Sequence, residues 1–173
     1  MGFFPTPGVD ARAVANILLA KGQEDEVPIP IGQMKLLKLT YIAHGWVLGL
    51  LDKPLISQEV LAWPYGPVIR DVYNAFRAYG KDPITAPAFA AHGLTWKPYE
   101  VKLDSDVQEV VDDVWSEYKG FTGLQLSTLT HKAGTPWAIV TAGKTAEQIR
   151  DIRIPNQLIR DYYCNLAEKS EGA

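Results

Sequence analysis

Cysteine is nearly missing: Cys164 stands alone in 173 residues, so the chain forms no internal disulfide. A reducing interior such as the bacterial cytoplasm is the expected setting. No run of lysine or arginine occurs and the formal net charge is −3. That argues against the broad basic face needed for sequence-independent phosphate binding, and no nucleic acid is expected as a partner. No apolar stretch approaches the roughly 18 residues of a spanning helix, so no membrane is expected either. The opening Met1-Gly2-Phe3-Phe4-Pro5-Thr6 matches the loose myristoylation pattern, but no polybasic or second acylation signal accompanies it, and one acyl chain anchors only marginally. Histidine is scarce as well: His44, His92 and His131 are far apart and no pair shows metal-ligand spacing. Neither phosphate-cradling glycine motif is present, and Gly143-Lys144-Thr145 imitates the end of one without its upstream glycine. No metal, cofactor or catalytic constellation is expected.

What is there is a globular composition, 47% hydrophobic and 21% charged, of a length suited to one domain. The reading is mainly α: a compact single-domain bundle of about six helices with a small antiparallel β-hairpin. Residues 1–9 form an N-terminal arm, 10–168 the helical domain and 169–173 a polar tail. Asp10 is placed to cap a first helix with Val14, Ile17 and Leu18 on one stripe and Gly22 just past its end. From Gly32 to about Leu51 apolar residues occupy nearly every face, which puts this helix at the centre of a bundle. Residues 59–63 are extended. Pro67 fits a first helical position, followed by Val68, Val72, Phe76 and Tyr79 at helical spacing and a stop at Gly80. Residues 94–101 suggest a second strand pairing with 58–63. Asp104 or Ser105 opens a helix with Val107, Val110, Val111, Val114 and Tyr118 on its inner stripe. Thr122 and Gln125 make a capping box for the next helix. Pro136 begins a short turn containing Trp137, Thr145 caps a brief helical piece, and Pro155 opens the last helix.

Few residues offer chemistry. Cys164 lies beside Tyr162 and Tyr163 with no histidine nearby, so it reads as filler. His44 shares a face with Leu37, Tyr41 and Leu48 and reads as a satisfied core imidazole. His131 is crowded by Thr130, Lys132 and Thr135, and is the one candidate for an enzymatic alternative of unknown reaction. The aromatics weigh more. Five tryptophans and eight tyrosines are many for this length, and such residues on corners are what protein-binding hot spots are made of. In AWPYGPVIRDVY (62–73), a tryptophan runs into two prolines and a glycine, a stiff corner with Trp63, Tyr65, Arg70 and Tyr73 around it.

Three stretches, MKLLKLTYIAHGW (34–46), EVLAWPYGPVIRDVYNAFRAYG (59–80) and LSTLTHKAGTPW (126–137), resemble the Panacea domain of SocA-like antitoxins, a module also found in phage-associated proteins. Ala62, Trp63, Tyr65, Gly66, Pro67, Val68, Tyr73, Tyr79 and Gly80 carry the middle pattern, and Thr130, His131, Pro136 and Trp137 the last. The resemblance implies an antitoxin that binds a cognate protein toxin, blocking it or delivering it to an ATP-dependent protease. The partner-binding candidates are Trp63, Tyr65, Arg70, Tyr73, His131 and Trp137. A phage-encoded inhibitor of a host defence protein is the alternative within the same class.

Overall fold

In the computed structural model residues 7–172 are described, so most of the expected arm and the myristoylation-like hexapeptide lie outside the described residues. Asp10 accepts a hydrogen bond from the Arg12 backbone N–H and opens α1 (Ala11–Glu24), as its type and place suggest. This helix runs through Gly22 instead of stopping there. A Cβ at Gly22 would lie 2.9 Å from the Ile29 carbonyl oxygen, so the glycine serves the close return of the following loop. Just before α1, Val9 forms a parallel bridge with Ile56.

α2 (Gln33–Leu51) is the axis of the molecule, buried on almost all sides through Leu36, Leu39, Tyr41, Val47 and Leu48. Around it stand α1, α4 (Ser105–Tyr118), α5 (Gly123–His131) and α8 (Asn156–Glu171), the last in the most extensive contact. α8 approaches closely because Gly45 on α2 leaves room for the Tyr163 ring, which a Cβ there would overlap. α4 buries the stripe Val107, Val110, Val111 and Val114. α5 begins with the expected capping box, Thr122 Oγ1 accepting from the Gln125 backbone N–H while Gln125 Oε1 accepts from that of Thr122. Two short helices, α6 (Pro136–Thr141) and α7 (Ala146–Ile149), bring the α-helices among the described residues to eight; the expectation for α6 is only a turn. Pro155 precedes α8 as expected, and α8 continues to Glu171, into the segment expected as a polar tail.

The strands correct two expectations. β1 (Val60–Trp63) pairs antiparallel with β2 (Gly66–Val68) on one side and β5 (Ile152–Ile154) on the other. Pro67 therefore lies in a strand, opposite Ala62, and α3 (Arg70–Phe76) starts only after Ile69. The same two properties, a fixed φ and a missing N–H, suit proline to an edge strand as well as to a helix start. Residues 94–101 do not pair with 58–63. Gly93, at φ +61°, turns β4 (Thr95–Pro98) back onto its local neighbour β3 (Phe89–His92), and β5 occupies the remaining edge of β1. After α3 comes a single 3-10 turn, Arg77–Tyr79, ended by Gly80. Among the described residues no helix is long and apolar enough to cross a membrane.

Candidate functional site

The corner between β1 and β2 is a two-residue loop, Pro64-Tyr65, closing the pair Trp63–Gly66. Proline in the second and glycine in the fourth place suit a type I turn. Gly66 has φ +109°, and a Cβ on it would lie 2.9 Å from Thr130 Oγ1 and 3.0 Å from Lys38 Nζ. Both the backbone angle and the space call for glycine.

The corner is braced from behind through its backbone carbonyls. Trp137 Nε1–H donates to Trp63 O at 2.8 Å, His131 Nε2 lies 3.2 Å from Pro64 O, Ser127 Oγ–H donates to Tyr65 O at 3.0 Å, and Lys38 Nζ donates to Pro67 O at 3.0 Å. The Thr-His…Pro-Trp sequence supplies much of this brace. The Thr135 hydroxyl donates to Thr130 O at 3.0 Å and accepts from the Ala138 backbone N–H, capping α6. The His131 and Trp137 rings meet at 4.1 Å between centroids. His131 Nδ1 is 2.6 Å from Ser127 O, so each ring nitrogen faces a backbone carbonyl, and a neutral ring donates to one of the two.

The six candidate residues thus divide. Trp63, Tyr65 and Tyr73 line one open groove, with the Trp63 and Tyr73 rings edge-on at 4.9 Å. Tyr65 is 73% exposed. His131 and Trp137 stand behind the corner and hold its backbone. Arg70 is exposed and pairs with Asp151, just before β5. Arg150 adds a guanidinium 5.3 Å from the Trp63 ring.

The groove has a volume of about 760 Å³ and runs between the start of α2, the β1–β2 hairpin and the loop from α4 to α5. Ligand sites fall in this size range. Two of its residues escape sequence reading. Lys35 and Lys38 look like the polar start of a helix, yet Lys38 is only 2% exposed. Burial draws its pKa from 10.5 down to about 7, with no carboxylate to oppose the shift. The available signal was their helical face: Leu39 and Ile42 follow at spacings of four, so the stripe that carries both lysines continues apolar.

His44 is the core imidazole expected of it. Its Nε2–H donates to Asn156 Oδ1 at 2.9 Å, and Nδ1 accepts from the backbone N–H groups of Leu55 and Ile56 at 3.3 and 3.4 Å. Full burial lowers its pKa to about 4. Cys164 is half-buried on α8. A further exposed apolar patch lies on the second hairpin, where Leu94 and Trp96 face solvent.

The family description "Antitoxin SocA-like, Panacea domain" matches residues 36–138, from the first turn of α2 into α6. The chain belongs to that family. The matched span contains both the corner and its brace, from Lys38 and Trp63 through Thr130, His131 and Trp137. Antitoxin SocA of Caulobacter vibrioides (strain NA1000 / CB15N) is 34% identical to the chain over 157 residues, 90% of this chain and 82% of that protein. No solved structure gives a significant match.

Proposed function

We propose that this Panacea-domain protein is an antitoxin that binds a cognate protein toxin and holds it inactive, with the braced corner and the groove beside it as the contact face. The observation that carries the reading is the likeness to Antitoxin SocA across 90% of the chain. The geometry agrees with a binding role. Aromatic side chains flank an open groove, and a corner fixed through its carbonyls loses little freedom on binding, which lowers the ordering cost of association. The partner-binding residues of this reading are Trp63, Tyr65 and Tyr73 at the face, with His131 and Trp137 as its support and Arg70 at its flank.

Inactivation takes one of two routes. Blockade leaves the toxin abundant but silent, whereas delivery to an ATP-dependent protease removes it. Co-expression with the product of the neighbouring gene tests the function itself: growth is rescued and the two chains co-purify. Absence of both a complex and rescue contradicts the proposal. Toxin half-life, followed after synthesis is stopped with and without the ATP-dependent protease, separates the routes.

A further inference from the structure

The groove carries more information than its aromatic rim. Among the described residues four lysines line it, Lys35, Lys38, Lys81 and Lys119, and no aspartate or glutamate does. Lys119 is balanced by Asp25, at 2.9 Å. Lys35 donates to the Lys119 backbone carbonyl and Lys38 to that of Pro67, each a neutral acceptor. Among the described residues, Lys35, Lys38 and Lys81 have no carboxylate within salt-bridge reach. An ammonium has three N–H donors, and Lys38 uses one. Burial without a counter-charge disfavours the charged form of Lys38, and a carboxylate brought beside it restores that form. A second donor is also idle: Trp63 Nε1 is the one buried side-chain polar atom among the described residues with no hydrogen-bond partner, and Trp63 lines the same groove. Met34, Tyr73 and Phe121 supply apolar wall around these donors.

We propose that this groove takes an acidic-apolar segment of the protein partner, in which an aspartate, a glutamate or a chain-terminal carboxylate sits beside an aromatic or aliphatic side chain. The carboxylate meets the lysines and its apolar neighbour meets Met34, Tyr73 and Phe121. The proposal rests on the protein-binding reading above and specifies which chemistry of partner the site accepts. Charge complementarity selects this occupant: a basic segment is repelled, and a purely apolar one leaves the lysines desolvated without compensation.

The test uses the full chain and a displayed library of random 12-residue peptides. Enriched clones should carry an acidic residue next to Trp, Phe, Leu or Met. A synthetic copy should bind at least about tenfold more weakly to Lys81→Glu, an exposed position whose substitution should leave the melting temperature unchanged, and to Lys38→Met. Replacing the peptide's carboxylates by amides should have the same effect. Three results overturn the proposal: no enrichment, enriched clones without acidic bias, or binding unchanged in both variants. A dimer seen by light scattering that Lys81→Glu dissociates overturns it too, by making a second copy the occupant. Toxin neutralisation is scored separately, so the groove and the antitoxin function fail independently: peptide binding without neutralisation removes the latter, neutralisation without peptide binding the former.

Discussion

The described residues contain two hairpins with two-residue turns, and they have opposite fates. The first, β1–β2, is buried along both strands except at Trp63, and its turn carbonyls are met by side chains from α5 and α6. The second, β3–β4, is mostly exposed, with Leu94 fully open at 104% and Trp96 at 70%. Only its base is held: the Asn16 side chain on α1 donates to the carbonyls of Ala88 and Tyr99 and accepts from the Ala88 backbone N–H. At its tip the Thr95 hydroxyl bonds His92 O within the hairpin itself. Similar local chemistry therefore gives a brace point in one place and a free-standing projection in the other. The difference lies in what packs behind the turn. A residue in the first hairpin answers to the whole fold, whereas one at the tip of the second answers mainly to solvent.

The largest effect should come from loosening the body on which the first hairpin is braced. His44 is lowered from 6.5 to about 4 in the folded chain, so folding favours its neutral form. Its stabilising arrangement is complete above pH 6.5 and is lost as pH falls from 6.5 toward 4, where the unfolded chain binds the extra proton. The loss amounts to about 3 kcal/mol at 1.36 kcal/mol per pKa unit. Urea unfolding across this range should show it, and a stability independent of pH there contradicts the assignment.

Next come the turn glycines. Gly66→Ala meets both a forbidding φ and the Thr130 hydroxyl, and should cost about 2–3 kcal/mol. Gly93→Ala has an unusual φ but nothing within 4 Å, and should cost about 1 kcal/mol. Equal losses in denaturant melts would erase the distinction between the hairpins. A smaller effect is expected of Trp137→Phe, which deprives Trp63 O of its donor and should cost about 1–2 kcal/mol. Hydrogen exchange should rise at the first turn and stay unchanged at the second. The smallest effect is that of Trp96→Ala, within about 0.5 kcal/mol of wild type because the ring packs on little.

Helices were more legible than strand partners, for a physical reason. Capping and amphipathic stripes are local, so Asp10, the Thr122–Gln125 box and the valine stripe of α4 announce their helices within one turn. Pairing is non-local. Ile152–Ile154 is too short to show alternation, and nothing in it tells that its partner is Val60–Ala62. Pro67 and Gly22 misled because each residue type has two uses. Proline suits edge strands as well as helix starts, and glycine permits close approach as well as helix ends. At the site, the corner was visible as a run of stiff residues, with Trp63, Tyr65 and Tyr73 near it. The roles of His131 and Trp137 as its brace were not, because they act on backbone carbonyls more than 60 residues earlier, an interaction that leaves no side-chain pattern in the hairpin. Lys38 was hidden for a related reason: burial belongs to its neighbours in space, not to its residue type.

Affinity of the purified protein for its toxin in Tyr65→Ala, set beside Trp96→Ala, tests most directly whether the braced corner is the contact face. Tyr65→Ala should weaken the complex about tenfold or more at unchanged melting temperature, as expected for an exposed aromatic anchor, and Trp96→Ala should leave it as it was. Tight binding by Tyr65→Ala together with loss of binding in Trp96→Ala would place the toxin on the second hairpin and contradict the account.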